Sequence, residues 1–284
     1  MNELKSFHDT HQWAWDATSL AEAQTCLRKY YYGMVRGLQP KNKSVHLIFG
    51  GIYASALEAF YKFRAEGSDY ETALHQTVRL TMELSWEISD CPVCLEQYGN
   101  ESEDGLVTYH LASGKPAVEL SFSIELNDDI VYCGHLDRVV AMGKDLYVMD
   151  QKTTGGTVSN YFFKQFDYSL QMSGYAFAGK MILDTPVRGV IIDAAQIAVN
   201  STQFGRGITT RSADQIEEWL QDINCTIEAA WRAADANYFP KNYSSCGNYG
   251  GCPFIPLCTN SPSVRENYIR SDYVKRSWDP IEQR

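Results

Sequence analysis

The sequence predicts an α/β fold, and three observations carry the prediction. Residues 18 to 89 hold three helical patterns with capping signals, residues 116 to 154 alternate with the period of strands, and the apolar strand "VRGVIIDAAQIAV" lies between two further helices. The expected order is helices, three strands, helix, strand, helix. The chain has 284 residues, 44% apolar and 21% charged, enough to bury a sizeable core.

The elements follow in order. "TSLAEAQTCLRKYYYGMVRG" reads as one helix, with Ser19 and Glu22 as a capping box and Gly37 at its end. "FGGIYASALEAFYKFRAEG" is a second helix, opened by Gly50 and Gly51. "SDYETALHQTVRLTMELSWEIS" is a third, with Ser68 and Glu71 suited to a second box. Residues 90 to 113 read as an acidic loop. "PAVELSFSIEL", "IVYCGHLDRVVAM" and "LYVMDQKTT" are strands joined by the turns "NDD" and "GKD". A long helix is expected over about 159 to 183, and a last one near Ser212 with Gln215 in the capping-box position. The tail from 239 is rich in Pro, Gly and Cys.

No apolar run approaches the ~18 residues of a membrane helix, and "MNELKSFHDTHQW" lacks a secretory pattern. The expectation is an intracellular, cytoplasmic protein, in a prokaryotic or viral setting. A net charge of −10 argues against coating nucleic acid by charge alone, though not against gripping it in one groove. Eight cysteines without a secretory signal point to metal or cluster ligation rather than a disulfide framework.

The hairpin of residues 132 to 154 holds the chemistry. Asp137 and Asp150 lie on its two strands, and Asp150 and Lys152, two apart, share a face. The strands are otherwise apolar, so these charges interrupt what should be core. Carboxylates suit hard divalent cations, and Mg²⁺ needs few protein ligands. Asp137, Asp150 and the carbonyl of Gln151 would serve one ion, with Lys152 beside the attacking water. The other reading is a surface hairpin with a cross-strand Asp–Lys pair.

"GHLD" followed by "DQK", and then Gln171 and Tyr175 in "LQMSGY", resembles the GxxD, (D/E)xK and QxxxY motifs of the PD-(D/E)XK nuclease superfamily. The RecB-like branch that includes CRISPR-associated exonucleases with an iron–sulfur cluster is the most similar. The resemblance implies a restriction-endonuclease-like mixed central sheet flanked by helices. It also implies Asp137 and Asp150 as ligands of Mg²⁺ or Mn²⁺, Lys152 assisting water, and Gln171 and Tyr175 lining the site. Glu119 resembles a further acidic position of the family and otherwise reads as an exposed strand carboxylate. The chain departs from the family at Ala54, where the pattern around Gly50, Leu57 and Glu58 places a histidine. Glu58 remains as an additional acid, and His110 and His135 are the alternative imidazoles by sequence. Losing one imidazole ligand weakens metal binding or changes metal preference.

Cys246, Cys252 and Cys258 are evenly spaced in "CGNYGGCPFIPLC", and this spacing fits zinc knuckles poorly. The resemblance supplies Cys26, in "CLRKYYY", as a fourth ligand, and implies a [4Fe–4S] cluster stapling both ends of the chain, with Zn²⁺ as the alternative. Cys91 and Cys94 form a lone CxxC, read as incidental, and Cys133 and Cys225 read as packing residues. The basic, Tyr-bearing end "VRENYIRSDYVKR" either tracks a phosphate backbone or forms a solvated extension.

The chain is thus expected to be one nuclease-like domain, 1–284, with a helical part at about 17–90, a nuclease core at about 114–236 and a cysteine-rich part at about 239–262. Its expected function is metal-dependent exonucleolytic cleavage of DNA at single-stranded ends, in company with a helicase or other DNA-processing protein. The alternative is a catalytically impaired nuclease-like DNA-binding or scaffold protein.

Overall fold

A computed structural model describes residues 7–8, 11–42, 45–85, 105–198, 201–276 and 278–282. In chain order it holds the short strands β1 (Phe7–His8), β2 (His11–Gln12) and β3 (Ala14–Trp15), helices α1 (Ala17–Thr25) and α2 (Leu27–Tyr30), and strand β4 (Leu38–Pro40). Helices α3 (Val45–Ala65) and α4 (Tyr70–Ser85) follow, then β5 (Leu106–Thr108), β6 (Val118–Asn127), β7 (Ile130–Met142) and β8 (Asp145–Thr154). The chain continues through α5 (Asn160–Lys164), α6 (Leu170–Ile182), β9 (Val187–Ala198), β10 (Ser201–Thr209) and α7 (Ala213–Asp235). It ends with α8 (Ile255–Thr259), α9 (Arg265–Asp272) and β11 (Tyr273–Lys275).

The residues form two compact units: Ser44–Phe122 with His135–Ser212, and Met1–Lys43 with Ser123–Gly134 and Ala213–Gln283. The first of these contains the predicted α/β core. Its strands run in the order β10-β9-β8-β7, with β5 and β6 also against β7. The β8–β9 pair is parallel and the β7–β8 and β9–β10 pairs are antiparallel, so the sheet is mixed as expected. The β7–β8 hairpin turns at Gly143, whose φ of 62° is the left-handed conformation that glycine adopts without strain. One face is covered by α3 and α4, through Tyr53, Leu57, Phe60 and Tyr61 packed with Ala195 and Phe204. The other is covered by α6, where Gly179 lets the helix approach Val148 and Val187 closely.

Several local expectations are corrected. The first helix breaks at Cys26, whose backbone is extended, and its N-cap is Asp16, which exchanges hydrogen bonds with Ser19; Ser19 and Glu22 do not form the box. Asp69, not Ser68, accepts from the N–H of Thr72 at the start of α4. The expected 159–183 helix is two helices, separated because Ser169 caps α6 with its side chain. Strand β5 lies in the stretch expected to be loop, and Cys91 and Cys94 lie outside the described residues.

The second unit gathers the chain's two ends. β3 pairs in parallel with the start of β7 at Val131 and Tyr132. Helix α7 buries Ile216, Trp219, Ile223, Ile227, Ala230 and Ala233, the stripe of an amphipathic helix. Cys133 is buried beside the carbonyl of Trp15, as expected of a packing residue, but Cys225 falls off the buried stripe of α7 and is exposed. The basic C-terminal stretch is not a solvated extension: β11 pairs with β4, and Ile269 and Tyr273 join a core with Tyr32, Leu38, Phe254 and Leu257. Among the described residues no helix is long and apolar enough to cross a membrane.

Candidate active site

In-register residues of neighbouring strands project to the same sheet face. Val139 pairs with Val148, so two residues further along each strand Asp137 and Asp150 share a face with Lys152. That is the face under α6, since Val148 is the residue that Gly179 approaches. The three motif residues therefore converge, as the hairpin predicted.

The geometry is close. The main-chain N–H of Gln151 donates to Oδ2 of Asp137 at 3.0 Å. Lys152 Nζ donates to Oδ1 of Asp150 at 2.8 Å and lies 2.6 Å from Oδ2. That buried oxygen has the ion-pair contact with Lys152 but no hydrogen bond. The Asp150 side chain is 1% exposed and that of Lys152 is 30% exposed, so the ammonium bridges a buried acid and the solvent. Burial pushes the Asp150 carboxyl above the usual carboxylate range; Lys152 pulls it back, and the charge of Asp137 adds to the rise.

A buried carboxylate oxygen without a full partner, next to a second acid, is a setting that a hard cation relieves. The donors here are oxygens alone, which fits Mg²⁺ or Mn²⁺. Gln171 and Tyr175 lie one turn apart on α6, where Gln171 Nε2 donates to Tyr175 Oη at 3.0 Å. Tyr175 is largely buried.

Two further acids behave differently from the expectation or sit elsewhere. Glu119 is not exposed: it is 9% accessible and its φ of 48° places a non-glycine residue in the left-handed region. Such a conformation costs about 1–3 kcal/mol and persists only where surrounding structure enforces it. The N–H of Val139 donates to the carbonyl of Ala117 at 2.8 Å, and two residues on in each strand come Glu119 and Asp137. Glu58 is on α3, its carboxylate 2.6 Å from Lys62 in an i,i+4 ion pair, and Ala54 one turn earlier is exposed. His110 carries an Nδ1 3.2 Å from the carbonyl of Thr108, and His135 lies on β7 two residues before Asp137.

Sequence reasoning passed over Asp193. It pairs in register with Gln151 and so lies on the opposite face from Asp150, buried and bound to Nε of Arg206 at 2.8 Å. The signal was available, because "VIIDAAQI" interrupts an apolar strand with an acid just as the hairpin does.

The cysteines occupy the other unit. Cys26 Sγ accepts from the N–H of Asn242 at 3.3 Å, Asn242 Nδ2 donates to the carbonyl of Thr25, and Arg28 Nε donates to the carbonyl of Phe239. These bonds hold "CLRKYYY" against the C-terminal segment. The N–H of Cys252 donates to the carbonyl of Cys246, and Cys252 and Cys258 pack on the Tyr32–Phe254 core. Burial raises the thiols of Cys252 and Cys258; Cys26 adds to the rise at both, with Cys246 adding at Cys252 and Cys252 at Cys258. Four half-buried thiols are a donor set that suits iron–sulfur or zinc. Among the described residues, no three side chains of His, Cys, Asp or Glu are gathered closely enough to hold a metal ion.

Comparison with known proteins bears on this geometry. The sequence matches the PD-(D/E)XK nuclease superfamily over residues 14–259. The fold resembles a crystal structure of a candidate exonuclease from Eubacterium rectale, with 10% identity, a TM-score of 0.51, and 82% of this chain and 85% of that chain covered. At that identity the likeness concerns the fold alone. A crystal structure of SSO0001 covers 78% of each chain at 12% identity with a TM-score of 0.36. No curated protein matches the sequence.

Proposed function

Because the chain belongs to the PD-(D/E)XK nuclease superfamily, we propose that it is a metal-dependent deoxyribonuclease acting as an exonuclease on single-stranded ends. The observation that carries the reading is the contact of Lys152 with the buried Asp150 on the sheet face that Asp137 shares. The assignment concerns the whole chain, 1–284, as one nuclease-like domain.

Asp137, Asp150 and the carbonyl of Gln151 would hold the divalent cation. When bound, Mg²⁺ or Mn²⁺ polarises the scissile phosphate and acidifies water. The N–H of Gln151 fixes the carboxylate of Asp137, and Lys152 fixes that of Asp150, so both acids are oriented before substrate arrives. The Lys152 ammonium favours hydroxide over water at its side and offsets the charge that builds on the phosphate oxygens. Hydrolysis forms one P–O bond from water and breaks the P–O bond to the departing sugar oxygen, which leaves with a proton. Gln171 and Tyr175 hold the strand. The acids Glu58 and Glu119 are additional candidates, with Glu119 favoured by its burial and strained backbone.

Cys26, Cys246, Cys252 and Cys258 would hold a [4Fe–4S] cluster, or Zn²⁺, with a structural role. The reading is supported by the bonds that hold residues 25 to 28 against residues 239 to 242. A helicase or similar DNA-processing protein is the expected companion.

A second reading draws on the exposed Ala54 at the motif histidine position and on Glu58 being paired with Lys62. It is a nuclease-like scaffold that binds DNA without cutting it. Cleavage of end-labelled single- and double-stranded DNA in Mg²⁺ or Mn²⁺, with anaerobically prepared protein, separates the two. Progressive shortening that is lost in Lys152→Ala is the expected result. Folded, metal-loaded protein that binds DNA and cuts none in either metal sinks the enzyme reading and leaves the scaffold.

A further inference from the structure

The segment joining the two elements of the candidate site is aromatic. It reads "SNYFFKQFDYS" over residues 159 to 169 and links β8, with Asp150 and Lys152, to α6, with Gln171 and Tyr175. Its aromatic residues divide sharply. Phe162 packs edge-on against Phe163 and Phe166, and Phe166 is buried. Tyr161 and Tyr168 instead point outward, 86% and 81% exposed.

Phe163 fixes where the segment sits. A Cβ built on Gly207 would lie 2.4 Å from the Phe163 ring, and one on Gly205 would lie 2.8 Å from Val158. The two glycines thus form a slot on β10 that receives this segment. Gly205 is in register with Ala194, which is in register with Lys152; Gly207 is likewise in register with Ile192, and Ile192 with Asp150. The slot is therefore on the same face as Asp150 and Lys152, two strands away, or roughly 10 Å. The segment is seated beside the candidate site and displays two tyrosines, Tyr161 on α5 and Tyr168 at the end of the 3-10 turn Gln165–Tyr168 that follows it, with the exposed Lys164 between them in sequence.

We propose that Tyr161 and Tyr168 are a base-stacking subsite for single-stranded nucleic acid entering the Asp137–Asp150–Lys152 site. The inference rests on the nuclease reading of that site and names how the strand is gripped. A rigid aromatic ring offers stacking area to any base, so it holds single strands with little sequence preference. A duplex keeps its bases stacked inside and gives these rings nothing to hold. Lys164 supplies a phosphate contact of the right sign. The three phenylalanines turn inward and anchor the element, so the two tyrosines are free of any packing duty.

The test uses full-length protein and a fluorescein-labelled oligothymidylate, with a labelled hairpin duplex as control. Binding is read by anisotropy in EDTA, and cleavage is read in Mg²⁺ or Mn²⁺. Loss of a stacked ring costs about 1–3 kcal/mol, or about five- to 150-fold in affinity for each tyrosine. Tyr161→Ala/Tyr168→Ala should weaken oligothymidylate binding at least tenfold and raise KM with kcat nearly unchanged. The Phe variants should bind as the parent does, and duplex binding should not move. Both tyrosines are exposed, so an unchanged melting temperature is expected. A parent that cuts, together with a double-alanine variant of unchanged affinity and KM, overturns the subsite and leaves the nuclease reading standing. A parent that binds oligothymidylate through these tyrosines yet cuts nothing overturns the nuclease reading alone. Equal weakening on duplex and single strand, or a parent that binds neither, overturns the subsite.

Discussion

The main-chain N–H of Gln151 donates to Oδ2 of Asp137 at 3.0 Å, so the backbone of one hairpin strand orients the acid of the other. The acid at position 137 is thereby held toward Asp150, whose own carboxyl is raised by burial and by that neighbouring charge. Two carboxylates kept side by side store an unfavourable interaction that a cation removes.

That relationship predicts stabilisation by metal. Melting in Mg²⁺ or Mn²⁺ should occur at a higher temperature than in EDTA, and a ligand at a hundred times its Kd stabilises by about 2.7 kcal/mol. Asp137→Asn keeps the side chain's shape and should lose most of that increment. The same titration on both proteins is the check. An equal rise in parent and variant would place the binding elsewhere in the chain.

The hairpin was legible in the sequence because its signal is local: alternation sets the strands, Gly143 sets the turn, and Asp137, Asp150 and Lys152 interrupt an apolar pattern. β10 was not legible. "STQFGRGIT" is polar and carries two glycines, which weaken a strand by themselves. Those glycines make sense only once Val158 and Phe163 occupy the space of the missing side chains at Gly205 and Gly207, contacts more than forty residues away in sequence that no local pattern announces. Glu119 shows the same limit. Alternation placed it on a strand, but its burial and left-handed backbone arise from neighbours in space. The break at Cys26 inside the first helix was hidden as well. The helical pattern runs through it, while the extended backbone there goes with a sulfur that meets Asn242 at the far end of the chain.

The cysteine assignment makes its own forecast. Anaerobically purified protein should absorb visible light and release iron, and Cys26→Ala should lose both while the nuclease fold of Ser44–Phe122 and His135–Ser212 remains. Metal analysis beside the absorbance scan separates the outcomes. Colourless protein carrying one zinc would replace the cluster by Zn²⁺. Colourless protein without metal would remove the assignment altogether.

Arg211 joins the start of α6 to the end of β10 through a set of buried hydrogen bonds. Its guanidinium is buried and donates to Ser173 Oγ at 2.9 Å, Thr209 Oγ1 at 2.7 Å, and the carbonyls of Thr210 and Phe166 at 2.8 and 2.7 Å. Burial pulls its pKa below the usual arginine value, with Asp167 opposing, and these bonds offset the cost of burying the charge. They tie the end of β10 to the turn before α6 and to the first turn of α6, at Ser173, between Gln171 and Tyr175 in sequence. Arg211→Met should destabilise by about 2–4 kcal/mol, since several buried acceptors lose a charged donor together. Arg211→Lys should recover little, because one ammonium cannot span the four acceptors that a planar fork reaches. Denaturant titrations of both variants measure the loss. Because Ser173 lies on the side of α6 away from Gln171 and Tyr175, the effect on cleavage should be indirect, as a raised KM at temperatures where the variant is fully folded. Stability within 0.5 kcal/mol of the parent, roughly the range of an ordinary surface substitution, would show that α6 is held by packing at Gly179 instead.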